Sequence, residues 1–236
     1  MAWNAYSGVP VVVAANRDEV LNRAAAPPAL SDAGAVYAPV DLVGGGTWLG
    51  LRRTGLFVGV TNRFGVPRDD GRESRGALVR EALGETSAVA IHARLSKLSP
   101  TRFNAFHLLY ADAAHAFVTW SDGAVLAQAA LAPGLHVVTE RSLGGDDLRR
   151  TEAVEAFWAR ECRGPTAPPF EVLRRLLALR QGPESVADVC VSLPDWNYGT
   201  RSSFVAHVAP SAAETRCAFA DVAPLPSAWR EVNPFA

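Results

Sequence analysis

Apolar and polar positions along the chain follow two rhythms that exchange places several times. Short β-branched or alternating runs predict strands at 9–15, 35–38, 47–52 and 56–61. Arg53-Thr54-Gly55 joins the last two as a tight hairpin, with Gly at a left-handed position. The period then lengthens. Ser74 is placed to cap a helix whose Leu78, Val79, Ala82 and Leu83 share a face, and a second helix over 87–98 aligns Ile91, Leu95 and Leu98. Strands return at 102–111, 116–120, 124–129 and 135–139, with Ser121-Asp122-Gly123 as a turn. Helices follow at 148–161 and 170–180, the second carrying a Val172, Leu173, Leu176, Leu177 stripe. Strands at 202–208 and 216–220 precede a Pro-rich tail. Strand blocks alternating with helix pairs, without a strict βαβ rhythm, predict two facing antiparallel sheets with helices outside.

One strand ends unusually. Val11-Val12-Val13-Ala14-Ala15 runs directly into Asn16-Arg17-Asp18-Glu19. Charges at the end of a buried strand cost stability unless they pair or meet water in a cleft, and a turn needs far less chemistry than this tetrad holds. It is expected to form the rim of a site.

Composition narrows the class of protein. At 236 residues, 49% hydrophobic, 20% charged and with net charge −1, the chain is a globular domain without the basic footprint of nucleic-acid or anionic-membrane binding. Lys97 is its single lysine, and the Arg-, Ala- and Pro-rich usage suggests a GC-rich bacterial genome. Cys162, Cys190 and Cys217 are odd in number and far apart, which reads as buried free thiols in a reducing cytoplasm. No signal peptide or membrane span is expected. His92, His107, His115, His136 and His207 have no metal-binding spacing, so neither metal nor cofactor is expected.

Other polar clusters carry possible chemistry. Gly44-Gly45-Gly46 lacks the Lys-Ser/Thr of a phosphate loop and is read as a close backbone approach, with Trp48 a core aromatic or a pocket wall. Thr61-Asn62 ends an apolar strand, where the Asn amide suits a developing oxyanion. Tyr198-Gly199-Thr200-Arg201-Ser202-Ser203 places hydroxyls and a guanidinium at a strand start, where Arg201 could pair with Asp18 or bind an acidic ligand group. Asp69-Asp70 and Asp146-Asp147 read as solvated loop acids.

Taken in order, Asn16-Arg17-Asp18-Glu19, Ala26-Pro27-Pro28, Gly45-Gly46-Thr47-Trp48-Leu49-Gly50, Thr61-Asn62, Ser74-Arg75-Gly76, Phe103-Asn104-Ala105-Phe106 and Tyr198 to Ser203 resemble the NRDE family, also called the Transport and Golgi Organisation 2 group. The resemblance spans residues 3 to 208 and implies a single domain over 1–236. The implied fold is an α+β, four-layer αββα sandwich of the N-terminal-nucleophile (Ntn) hydrolase type. It also implies a small-molecule acyl or amide substrate, with Arg17, Asp18, Asn62 and Arg201 as catalytic residues. Asn16, Glu19, Trp48, Thr61, Tyr198, Thr200 and Ser202 are the substrate-binding candidates. Eukaryotic relatives are tied to secretory organisation, lipid metabolism and haem handling, so the resemblance equally permits a non-enzymatic lipid, acyl-CoA or haem carrier. No haem-attachment motif accompanies it.

In an Ntn hydrolase the first mature residue is the nucleophile and its own α-amine the base, with a pKa near ~8 suited to neutral pH. Family members typically begin Met-Cys, then a short strand, then Ala-Trp. This chain begins Met1-Ala2-Trp3, so the Cys-bearing strand is expected upstream, from a start several codons earlier. Where many members carry Ser-Asn, this chain has Thr139-Glu140, which removes a family oxyanion contact.

Overall fold

In the computed structural model, residues 1–143, 148–180, 182, 186–223 and 225–236 are described; Asp146-Asp147 lie outside them. The chain opens with β1 (Ala2–Tyr6) and β2 (Val9–Val20), a hairpin turned by Gly8 at φ +74°. Then come β3 (Ala25–Ser31), β4 (Val36–Asp41), β5 (Leu49–Arg52) and β6 (Leu56–Asn62), followed by α1 (Arg75–Leu83) and α2 (Ala88–Leu95). The middle of the chain forms β7 (Phe106–Ala111), β8 (Ala116–Ser121), β9 (Leu126–Ala130), β10 (Gly134–Leu135), α3 (Leu148–Glu161) and α4 (Phe170–Leu177). It closes with β11 (Ser192–Leu193), β12 (Tyr198–Val208), β13 (Arg216–Asp221) and β14 (Arg230–Val232).

Among the described residues these strands make two antiparallel sheets. One runs β10-β1-β2-β12-β13-β14 with β11 added beside β12; the other runs β3 to β9 in chain order. Val11, Val13, Leu49, Phe57, Leu109 and Phe204 fill the space between the sheets. On the far side of the second sheet, Val58, Leu108 and Tyr110 pack on Leu78, Val79 and Ile91 of α1 and α2. On the far side of the first, Val12 and Val205 pack on Phe170, Leu173 and Leu177 of α4. The four-layer α+β sandwich predicted from the alternating blocks is therefore present, and the period-two pattern of β2, β6, β7 and β12 serves two different cores.

The differences from expectation lie at element ends and in two added edge strands. β2 continues to Val20 and β12 begins at Tyr198, because the two pair from Tyr198↔Val20 to Val208↔Val11 and carry one another past their apolar stretches. The NRDE tetrad thus lies inside a strand rather than after one. The Ala26-Pro27-Pro28 segment, for which no strand was expected, forms β3 at the sheet edge, with a bulge between Ala26 and Ala29; a proline's missing N–H is harmless there. The Pro-rich tail contributes β14 against β13. The turn expectations are met: Gly55 and Gly123 have φ of +81° and +89°, and Ser74 Oγ accepts from the Gly76 N–H at the start of α1. All three cysteines are buried and free. No helix among the described residues is long and apolar enough to cross a membrane.

Candidate active site

The ends of β2, β4 and β6 and the starts of β5, β7 and β12 meet at one end of the sandwich, and the polar motifs converge there. Within β2 the period of two divides the NRDE tetrad. Val11, Val13 and Ala15 face the space between the sheets, so Arg17 and Glu19 do too; Val12 and Ala14 face the helices, and so do Asn16 and Asp18.

On the inner face the Arg17 guanidinium lies 4.3 Å from the centre of the Trp48 ring. Two carboxylates stand nearby, Glu19 at 3.6 Å and Asp41 at 3.9 Å, both beyond hydrogen-bond reach. Asp41 is held instead by Arg23, through bonds of 2.7 to 3.2 Å, and by the Val43 and Gly44 N–H groups. Burial pulls the Arg17 pKa below its usual value, opposed by Glu19 and Asp41 and helped by neighbouring Arg23 and Arg201. Trp48 is therefore the platform for a charge as well as a wall of the inter-sheet core. Ser202, opposite Arg17 on β12, is buried, and its Oγ has no partner among the described residues.

Thr61 faces inward from β6, its Oγ1 3.2 Å from His107 Nδ1 and 3.3 Å from the Thr139 carbonyl oxygen. Burial lowers the His107 pKa to about 4, so this imidazole is neutral at pH 7. Asn62, at the end of β6, is exposed and by period two follows Val58 and Val60 on the α1/α2 side of its sheet.

On the helix side, Asp18 accepts a 2.7 Å hydrogen bond from Thr200 Oγ1 and lies 3.9 Å from Arg150 of α3. Arg150 also holds Glu140 at 3.0 Å and donates to the Val186 carbonyl, tying three segments together. Desolvation raises the Asp18 pKa to about 6; Thr200 and Arg150 oppose this and Glu140 adds to it. Burial, with the charges of Asp18, Glu140 and Glu19 nearby, pushes the Tyr198 phenol above its usual value.

Two sequence expectations meet a different geometry. Arg201 does not pair with Asp18. A bulge between Thr200 and Ser202 breaks the alternation, and Arg201 bonds Asp221 at 3.0 Å and the Ala223 carbonyl. Asn16 is fully engaged: its amide donates to the Leu177 and Val189 carbonyls at 2.9 and 2.7 Å, and its oxygen accepts from Ser203 at 2.6 Å. It pins β2 to the segments around α4 instead of facing a ligand. Glu140 is part of the Arg150 clasp.

The remaining motifs build the frame. A Cβ on Gly46 would stand 2.4 Å from the Gly76 carbonyl carbon, so the Gly-rich loop passes directly over the start of α1. Arg75 donates to the Ala105 carbonyl at 3.0 Å, and Asn104 exchanges two 2.8 Å hydrogen bonds with the Asp69 backbone. Reasoning from sequence missed Arg23, Asp41, His107 and Arg150. Arg23 stands four residues after Glu19 and Asp41 follows an apolar strand, both faint signals. Nothing local marks His107 or Arg150. Among the described residues no three His, Cys, Asp or Glu side chains are grouped to hold a metal.

Two antiparallel sheets between helix layers carry these charged groups at one end of the sandwich. The family model for Transport and Golgi organisation 2 matches residues 1–218, and the chain belongs to that family. Among solved structures, two sequence variants of conjugated bile acid hydrolase from Clostridium perfringens each superpose with a TM-score of 0.58, covering 98% of this chain and 90% of theirs. Their sequence identities to this chain are 9% and 10%. The Caenorhabditis elegans orthologue of N-acylethanolamine-hydrolyzing acid amidase gives 0.55 at 14% identity, covering 87% of this chain and 90% of its own. At such identities the likeness is one of fold. Sequence comparison with curated proteins gives no significant match.

Proposed function

We propose that this protein is an amide or acyl hydrolase, or an acyltransferase, of the Ntn type, acting on a small acyl or amide substrate. The observation that carries this is the edge of β2 beside Arg17. β1 pairs with β2 only over Val9–Val12, whereas β12 follows β2 as far as Val20. From Val13 to Glu19 the β1-facing edge has no partner strand among the described residues. It lies in the middle of a sheet, where backbone N–H and C=O groups call for partners. Ala2 pairs with Val12 and Trp3 with Val11, so a continuation of β1 in this register would bring a residue opposite Arg17. The proposal places the nucleophile on that continuation.

The chemistry follows from the groups around it. The thiol or hydroxyl of the first residue attacks the carbonyl carbon while its α-amine takes the proton. The Asn62 amide, turning in from the exposed end of β6, donates to the developing oxyanion, and Arg17 orients the strand end. The amine then returns the proton to the leaving group, and water or an acceptor alcohol or amine cleaves the acyl-enzyme. Arg201 braces Arg17's neighbourhood, and Asp18 acts as a positioning residue through Thr200 and Arg150. The test is hydrolysis of N-acyl amides and acyl esters by protein isolated from its own source. Arg17→Leu, Asp18→Asn and Arg201→Gln are each expected to lower kcat/KM at least about 100-fold. Unchanged activity in all three would overturn the assignment.

A further inference from the structure

Three polar atoms at the β2–β12 end are buried without a partner among the described residues: Nη1 of Arg17, Nε of Arg201 and Oγ of Ser202. Arg17 and Ser202 face one another across paired strands, at 9% and 3% exposure, and Arg201 adjoins Ser202 in the bulge. The Arg17 Nη1 has no hydrogen-bond partner among the described residues, and Nη2 stands 3.6 and 3.9 Å from its two carboxylates. A guanidinium with five N–H donors, fixed on an aromatic ring and unsatisfied, is costly unless something else uses it.

Charge around it is unbalanced in one direction. Arg17, Arg23, Arg75 and Arg201 face Glu19, Asp41 and Asp221. Asp41 is committed to Arg23 and Asp221 to Arg201. Glu19 Oε2 is shared between Arg17 and Arg23 at 3.6 Å from each, while its Oε1 accepts 2.9 Å from the adjacent Val20 N–H and its side chain is 29% exposed. It is the group that can swing away. At the same end of the sandwich Leu42, Val43 and Phe64 are 60%, 65% and 59% exposed, on loops leaving β4 and β6.

We propose that the Arg17–Ser202–Arg201 cluster is a subsite for the carboxylate of an amphipathic acyl amide, an N-acyl amino acid, which replaces Glu19 beside Arg17. This rests on the acyl-amide reading and narrows it to an anionic substrate class. A planar carboxylate matches the guanidinium fork, and Ser202 supplies a further donor. The acyl chain would lie along the exposed apolar loops.

Binding rather than turnover tests it. Isothermal titration of the whole protein with N-lauroylglycine and with its neutral counterpart N-lauroylethanolamine should show the acid bound about tenfold or more tightly. Glu19→Gln, which removes the competing carboxylate, should widen that preference several-fold. Ser202→Ala should narrow it without changing affinity for the neutral ligand. Equal affinities, failure of both ligands to bind, or an unchanged preference in Glu19→Gln would overturn the subsite. Hydrolysis without acid preference would defeat this inference alone; acid-selective binding without turnover of any acyl compound would defeat the hydrolase reading alone.

Discussion

Replacing Asp18 with Asn should stabilise the protein at pH 8 while lowering its activity. The Asp18 carboxyl is enclosed between β2, β12 and α3, with Thr200 at 2.7 Å and Arg150 at 3.9 Å, and burial outweighs both in raising its pKa from 3.8 to about 6. The folded state therefore binds this proton more tightly than the unfolded chain does. Asp18's contribution is most favourable below about pH 4, is lost as pH rises to about 6, and stays lost above. At ~1.36 kcal/mol per pH unit, ionised Asp18 costs about 3 kcal/mol at pH 8. Asn keeps an oxygen for Thr200 and carries no charge, and Arg150 retains Glu140 at 3.0 Å. Urea unfolding of both proteins at pH 4, 6 and 8 isolates this group, because the other carboxylates cancel in the difference. The variant should gain up to about 3 kcal/mol at pH 8 and converge on the parent near pH 4. A loss of stability at pH 8, or a difference that does not change with pH, would refute the reasoning.

Removing the cation instead, Arg150→Gln should raise the Asp18 pKa further, since Glu140 would then face Asp18 without it; an NMR titration of the Asp18 carboxyl reads this directly. Gly46→Ala should destabilise by about 3 kcal/mol in denaturant unfolding, because the new methyl meets Gly76 backbone at 2.4 Å and neither chain can give way. Asn62→Ala should cost about 100-fold in kcat with little effect on the urea midpoint, as the residue is exposed. Trp48→Leu should weaken the hold on Arg17 and reduce kcat/KM more than stability, measured by the same two assays.

Much of the layer order could be read from hydrophobic period, because each strand of a sandwich must present one apolar face to each core. The boundaries of β2 and β12 could not. Polar residues from Asn16 to Glu19 look like a strand's end in isolation, and only their pairing with Tyr198–Ser203 keeps them extended. The same pairing explains why the site was half legible. Arg17, Glu19, Trp48, Thr61 and Ser202 were singled out and share the inner face. Asn16 was grouped with them by adjacency, and period two sends it to α4. Of the two roles open to Arg201, pairing with Asp18 or binding an acidic ligand group, a one-residue bulge removes the first, and such a bulge has no local sequence signature. Arg150 and Asp41 reach the site from distant elements, where adjacency in sequence carries no information.

The central claim is that chemistry occurs on a terminal nucleophile beside Arg17. The direct measurement is the intact mass and peptide map of source-isolated protein quenched during turnover of an activated N-acyl amide. One acyl group on the side chain of the first mature residue, absent in Arg17→Leu, is the predicted result. Saturable acyl binding with no covalent adduct and no turnover, or an adduct on an internal Ser or Thr, would contradict it.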